Sequence, residues 1–176
     1  MECLFLNRVF VLDTETTGLE DDDEILQFSI IDGTGQIISN NYYKPYKKTS
    51  WIEAEKINHI TPEMVVGMPS FQNCINYILE DLYAPQAIVG YNLPFDLRMM
   101  GNNKEYLRWP AGIKFIDCMA PMKKRIISNW VNLKTAAQHF NYVPQGNLHD
   151  SLEDCRATLH VFKALCREGN LPYMLC

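Results

Sequence analysis

The 176-residue sequence contains no apolar run near the roughly 18 residues that would mark a membrane span, so no membrane association is expected. Met1 to Phe10 is apolar but too short for a signal peptide and carries no cleavage pattern. Cys3, Cys74, Cys118, Cys155, Cys166 and Cys176 show no C-x-x-C spacing, and without a secretory signal they are expected as reduced, mostly buried thiols in a cytoplasmic protein. Excess positive charge is also lacking: 16 Lys and Arg against 21 Asp and Glu give a net charge of −5, which excludes gripping nucleic acid by bulk charge. There is no internal repeat, low-complexity segment or linker, so residues 1–176 are expected to form one domain. With 47% hydrophobic and 21% charged residues, the composition is that of a globular protein and excludes a disordered tail or a fibre. A chain of this length buries about 70% of its unfolded surface and needs neither disulfides nor a structural metal to fold.

The pattern that is present alternates in character along the chain. Residues 8–13 read as a buried strand, and 24–32 and 36–43 as two more, joined by Gly33-Thr34-Gly35 at hairpin length. A short helix is expected near 52–57, and Thr61-Pro62-Glu63 is a helix start with Thr61 as N-cap. Phe71, Cys74, Ile75, Ile78, Leu79 and Leu82 recur at helical spacing over 70–83. A strand at 87–91, a helix at 93–100 and a strand at 113–117 follow, then helices at 119–127, 133–140 and 150–168, the last closed by Gly169. Such an order predicts an α/β fold with a mixed sheet flanked by helices.

Three segments concentrate chemistry. Asp13 and Glu15, two apart on a strand, project from one face, and such neighbours repel unless a cation lies between them. In His149-Asp150-Ser151-Leu152-Glu153-Asp154, Asp150 and Glu153 stand at capping-box spacing. That register puts His149 and Asp154 at the two positions that meet across a first helical turn, a base beside a metal ligand. Asp96 falls in the first turn of a helix after Gly90-Tyr91-Asn92, at the carboxyl end of a strand, where open α/β sheets assemble their sites. Four carboxylates and one histidine around two divalent ions is the arrangement for phosphodiester hydrolysis by in-line attack.

Asp13-Thr14-Glu15-Thr16-Thr17-Gly18-Leu19, Asn92-x-x-Phe95-Asp96 and His149-x-x-x-x-Asp154 resemble the three motifs of the DnaQ-like, DEDDh-type 3′–5′ exonucleases, a family that includes the proofreading subunit of bacterial DNA polymerase III. The resemblance runs from about residue 8 to residue 167 and implies an RNase H-like fold with a five-stranded mixed sheet. It implies that Asp13 bridges two Mg²⁺ or Mn²⁺ ions. Glu15 and Asp154 would hold the metal that binds the attacking water, Asp96 would support the second, and His149 would be the general base. Thr16, Thr17 and Leu19 resemble the part that receives the terminal nucleotide. Two departures stand out. A box that is I-H-G-I-T in many relatives reads Ile57-Asn58-His59-Ile60-Thr61, so Asn58 replaces a His, while Glu53 matches a Glu that precedes it. Tyr91 stands where a His often precedes the Asn and could stack or hydrogen-bond in its place. The resemblance thus implies Glu53, Asn58 and Tyr91 as further substrate-binding residues near the terminal nucleotide.

The expected activity is removal of 5′-mononucleotides from the 3′ end of single-stranded or frayed DNA. An exoribonuclease is the enzymatic alternative, and a non-catalytic module docking on a polymerase or a 3′ end is the alternative from another class. A polymerase partner is implied by the proofreading branch, although no extended tail follows residue 168. Asp21 to Glu24 are expected as a solvated loop. Lys44, Lys47 and Lys48 with Tyr42, Tyr43, Tyr46 and Trp51 form either a strand-holding stretch or an ordinary exposed loop. Lys123-Lys124-Arg125 is expected as a solvated helix face, and His139 and His160 have no partner in sight.

Overall fold

The structure is a computed structural model that describes residues 2–82, 85–101, 109 and 111–176. Strands β1 (Glu2–Leu4), β2 (Val9–Thr16), β3 (Ile25–Asp32) and β4 (Ile37–Tyr42) come first. Helices α1 (Ile52–Asn58), α2 (Pro62–Val65) and α3 (Phe71–Leu82) follow, then β5 (Ala87–Gly90), α4 (Leu93–Gly101) and β6 (Lys114–Asp117). The chain ends with α5 (Met119–Ile126), α6 (Leu133–His139), α7 (Ser151–Arg167) and β7 (Tyr173–Leu175). Residue 83 of the expected third helix, and the side chains of Leu79 and Leu82, lie outside the described residues.

The five-stranded sheet has the order β4-β3-β2-β5-β6. β4, β3 and β2 form the antiparallel meander, and β5 and β6 add in parallel to β2. The turn from β3 to β4 is closed by Asp32, whose Oδ1 accepts from the Thr34 and Gln36 N–H groups, with Gly35 at φ 99°. The period-two alternation of β2 sorts its side chains into two cores. Val9 and Val11 pack with α5, α6 and α7, while Phe10 and Leu12 pack with α3 and α4. Among the helices, α7 is the most embedded: Val161, Phe162 and Leu165 are fully buried beneath the sheet. Asn170 N–H to Leu165 O at 2.9 Å, with Gly169 at φ 70°, ends it in a left-handed C-cap.

Two features depart from the sequence reading. β1 and β7 pair in parallel as a separate two-stranded sheet, a pairing between the two ends of the chain that three-residue segments cannot announce. That pairing brings Cys3 to Cys176, and the two form a disulfide across 173 residues, which corrects the expectation of six reduced thiols. Cys118 and Cys155 are buried free thiols, held protonated chiefly by burial. His139 and His160 also have partners: Arg125 Nε donates to His139 at 2.7 Å, and His160 lies 2.9 Å from the Phe140 carbonyl.

Candidate active site

β2 extends past the sequence-based end at Asp13 to Thr16, because Asp13, Glu15 and Thr16 pair with Ser29, Gln27 and Ile25 of β3. Asp13 and Glu15 therefore continue the row of Val9 and Val11, on the face that α7 covers. β3 fixes where α7 begins. Ser29, fully buried, lies 2.6 Å from the Ser151 hydroxyl, and Gln27 accepts the Ser151 N–H while donating to Asp150. Asp150 caps α7 by accepting from the Leu152 and Glu153 N–H groups. Only half of the expected capping box forms. The Glu153 carboxylate turns instead to the Tyr142 hydroxyl at 2.7 Å and the Gln145 N–H at 3.0 Å, so it anchors the loop that leads to His149.

One turn into α7, both oxygens of Asp154 accept the His149 N–H at 3.3 Å. His149 has φ 72°, a left-handed conformation uncommon outside glycine, and its side chain remains exposed. Ligand atoms of Glu15, His149 and Asp154 all lie within 4.8 Å of one another.

Asp96 arrives from the other side of the sheet. β5 pairs with β2 only as far as Val11, which leaves the edge of β2 beyond it without a strand neighbour. Asp96 fills that gap, accepting the Thr14 N–H at 3.1 Å and the Thr14 hydroxyl at 2.7 Å. The turn into α4 has Asn92 at φ 63° and is held by Asp117, whose Oδ1 accepts from Asn92 and Met119. Gln27, Ser29 and Asp117 are positioning residues that sequence reasoning missed. Asp117 had a signal, since like Asp13 it is an acidic residue that closes a run read from the sequence as a strand.

Burial and mutual repulsion dominate the electrostatics. Asp13 is pushed well above the usual carboxylate range by burial first, then by Asp96, Asp154 and Glu15. Glu15 is raised to about 9 by burial and then Asp154, with the Asn58 amide working the other way. Asp96 and Asp154 are each raised to about 7 by burial, tempered by hydrogen bonds from Thr14 and His149. Among the described residues, no lysine or arginine forms an ion pair with any of these carboxylates. Oxygen donors alone, crowded and uncompensated, suit a hard divalent cation. His149 is shifted down by burial and by the neighbouring His59 and Lys134, which favours its neutral form.

Beside the cluster lies a cleft of about 710 Å³ whose walls include Thr16, Thr17, Leu19, Glu53 and Asn58. Asn58 is built into the wall, donating to the Thr16 carbonyl at 3.2 Å and accepting the Ile60 N–H at 3.0 Å. The Thr16 hydroxyl donates to the Gly18 carbonyl and the Thr17 hydroxyl to Asp23, while the Thr17 N–H already meets the Glu24 carbonyl. Leu19 is 72% exposed, and Glu53 pairs with Lys56 at 2.6 Å. Tyr91 does not join them. It is buried in the α5–α7 core, and its hydroxyl donates to the Val131 carbonyl at 2.7 Å.

The run Asp21 to Glu24 is no simple solvated loop. Asp21 pairs with Arg98, Lys48 bridges Asp22 and Asp23, and Glu24 accepts the backbone N–H groups of Tyr46, Lys47 and Lys48. These bonds tie the loop after β2 to α4 and to the 44–48 segment. The basic–aromatic stretch is largely structural for the same reason: Tyr43 and Trp51 are buried, and the Trp51 indole donates to the Ile60 carbonyl. The Lys123–Arg125 face is partly spent on contacts within the protein, with Arg125 paired to Glu168 at 2.6 Å.

Comparison with known proteins agrees with this geometry. Residues 10–162 match the RNase T model, described as exonuclease. The chain is 31% identical to an uncharacterized exonuclease, CP81, of Escherichia phage 186, covering 93% of this chain and 90% of that protein. It is 25% identical to the DNA polymerase III subunit epsilon of Rickettsia typhi, over 90% of this chain and 73% of that one. Among solved structures, exonuclease X in complex with 5′ overhanging duplex DNA superposes with TM-score 0.70 at 22% identity, covering 92% and 93% of the two chains. The sheet order, the acidic cluster and these similarities together place the chain in the exonuclease family, as a DnaQ-like 3′–5′ exonuclease.

Proposed function

We propose that the chain, as a single domain, removes nucleotides from the 3′ end of single-stranded or frayed DNA, with Mg²⁺ or Mn²⁺ held by Asp13, Glu15, Asp96 and Asp154. One observation carries this reading: four carboxylates converge, none of them ion-paired to a lysine or arginine among the described residues, and an imidazole that favours its neutral form stands beside them. When bound, the cations would neutralise the cluster and the charge that develops on a phosphodiester, and would activate water.

The chain's own groups supply the rest. His149, neutral at pH 7, accepts a proton on its imidazole as general base. Asp154 holds the backbone of His149, and Thr14 orients Asp96 through two hydrogen bonds to one oxygen. The cleft between Leu19 and Asn58 receives the terminal nucleotide, and its largely apolar wall, which includes Trp51, Ile52 and Ile57, excludes water around the base.

DNA is favoured by the similarity to the DNA polymerase III epsilon subunits and by solved relatives described as bound to DNA. An RNA substrate is the second reading. It is supported by the likeness to a 3′-exonuclease described as recognising a histone mRNA stem-loop, at TM-score 0.71 and 15% identity. The epsilon similarity is also the support for a polymerase partner. A cytoplasmic site of action accords with a nucleic-acid substrate, and among the described residues no helix is long and apolar enough to cross a membrane.

The test is a 5′-labelled single-stranded oligonucleotide, as DNA and as RNA, incubated with protein and Mn²⁺. A ladder shortening from the 3′ end and abolished by EDTA, Asp13→Ala and His149→Ala is the expected result. The ratio of DNA to RNA rates chooses the substrate. Absence of a ladder on both strands would sink the reading.

A further inference from the structure

α6 packs against α7. The Phe140 carbonyl, just past the end of α6, meets His160 near the middle of α7. The segment before α6 is fixed at the end of β5, and Asp96 lies on the helix that follows that strand. Val131 is buried, and Tyr91, directly after β5 and five residues before Asp96, holds its carbonyl.

Trp130 precedes this anchor and faces solvent. It is 62% exposed, although a buried position would suit a residue of its type better. Its backbone is held in place, because the Ser128 hydroxyl donates to the Trp130 carbonyl at 2.8 Å and accepts the Trp130 N–H at 3.3 Å. The Lys123 ammonium lies 5.3 Å from the indole centroid. An aromatic plane on an anchored loop, with a cation at its face, is the combination that binds single-stranded nucleic acid without reading its sequence: bases stack, and the cation meets phosphate. A protein of net charge −5 has most to gain from such a local device.

We propose that Trp130 and Lys123 form a platform that holds a single strand on the 5′ side of the bond being cut. This rests on the exonuclease reading. The terminal nucleotide occupies the cleft between Leu19 and Asn58, and the remainder of the strand runs along the rim of the sheet where Tyr91 holds Val131. The occupant is a single strand because the indole has a cation at its face, which matches a stacked base with its phosphate rather than an apolar protein surface.

The experiment compares two substrates of the full chain. One is an oligothymidylate strand, and the other is thymidine 5′-p-nitrophenyl phosphate, a phosphodiester with nothing on the 5′ side to reach the platform. The quantity measured is the ratio of kcat/KM for the strand to kcat/KM for the ester. Trp130→Ala is expected to lower that ratio about tenfold, the scale of one lost base stack, chiefly through KM. Trp130→Phe restores most of it, a rescue that a purely structural role would not produce. Lys123→Gln gives a smaller loss that disappears at high salt. An unchanged ratio in Trp130→Ala overturns the platform while leaving the exonuclease intact. A wild type that cuts neither substrate overturns the exonuclease reading itself. In that case the platform stands or falls on fluorescence: quenching by oligothymidylate in EDTA, present in wild type and absent in Trp130→Phe, supports it, and equal quenching in both overturns it.

Discussion

Two groups of carboxylates follow one another within the first 24 residues, and they meet opposite fates. Asp21 to Glu24 are neutralised where they stand, by Arg98, by Lys48 and by three backbone N–H groups. Lys48 draws the Asp22 pKa down, mainly through its hydrogen bond. Asp13 and Glu15 are joined by Asp96 and Asp154 and, among the described residues, by no ion-paired basic side chain, and all are driven upwards. The contrast shows that density of acidic residues does not make a site. What makes one is charge brought together and left uncompensated by the protein, so that an ion from solution must complete it.

The two groups should therefore respond oppositely to substitution. Asp13→Asn should abolish nuclease activity, by on the order of 10⁴-fold for several kcal/mol of lost transition-state stabilisation. It should also raise the melting temperature of the metal-free protein, because a buried like charge is removed. A lowered melting temperature would break the comparison. His149→Ala should cost about 10³-fold in kcat, the usual worth of a general base. Because the carboxylates are untouched, this variant should keep the rise in melting temperature on adding Mn²⁺.

The pH dependence of stability sharpens the same point. Carboxylates raised by folding contribute stability that is complete below their unfolded pKa, near 4, and is lost as pH rises through the folded value. For Asp96 and Asp154 that value is about 7, and for Glu15 about 9. Metal-free protein should lose melting temperature from about pH 5 to about pH 9, and Mg²⁺ should restore more of it at the alkaline end than at the acid end. A flat profile in EDTA would mean that the cluster is not strained.

Arg98 links the two regions, donating to both Asp21 and the Leu19 carbonyl from the helix that carries Asp96. Arg98→Ala should loosen Leu19 and raise KM for a strand about threefold to tenfold, with little change in kcat or melting temperature, because its ion pair is exposed. The smallest effect belongs to Asp22→Ala, whose side chain is 70% exposed. It should alter neither activity nor melting temperature detectably.

Sequence reasoning reached the strands of the five-stranded sheet and the helices around it because each is long enough to show its period, as in Val9 to Leu12 or Phe71 to Ile78. It placed Asp13, Glu15, Asp96, His149 and Asp154 at the ends of such elements, where spacing and capping chemistry are visible. It did not anticipate the lattice around Asp21 to Glu24, because Arg98 is 77 residues away from Asp21 along the chain. Nor did it find the burial of Tyr91 against Val131, 40 residues on, or the closure of the chain ends by β1, β7 and the Cys3–Cys176 disulfide.

The sequence by itself determined which side chains can do chemistry and on which face of each element they lie, because alternation, helical period and capping are local properties of the backbone. Only the tertiary structure decided which charges stay uncompensated and where Trp130 emerges. Both depend on which distant groups come within a few ångströms once strands pair and helices pack, and no local pattern carries that information.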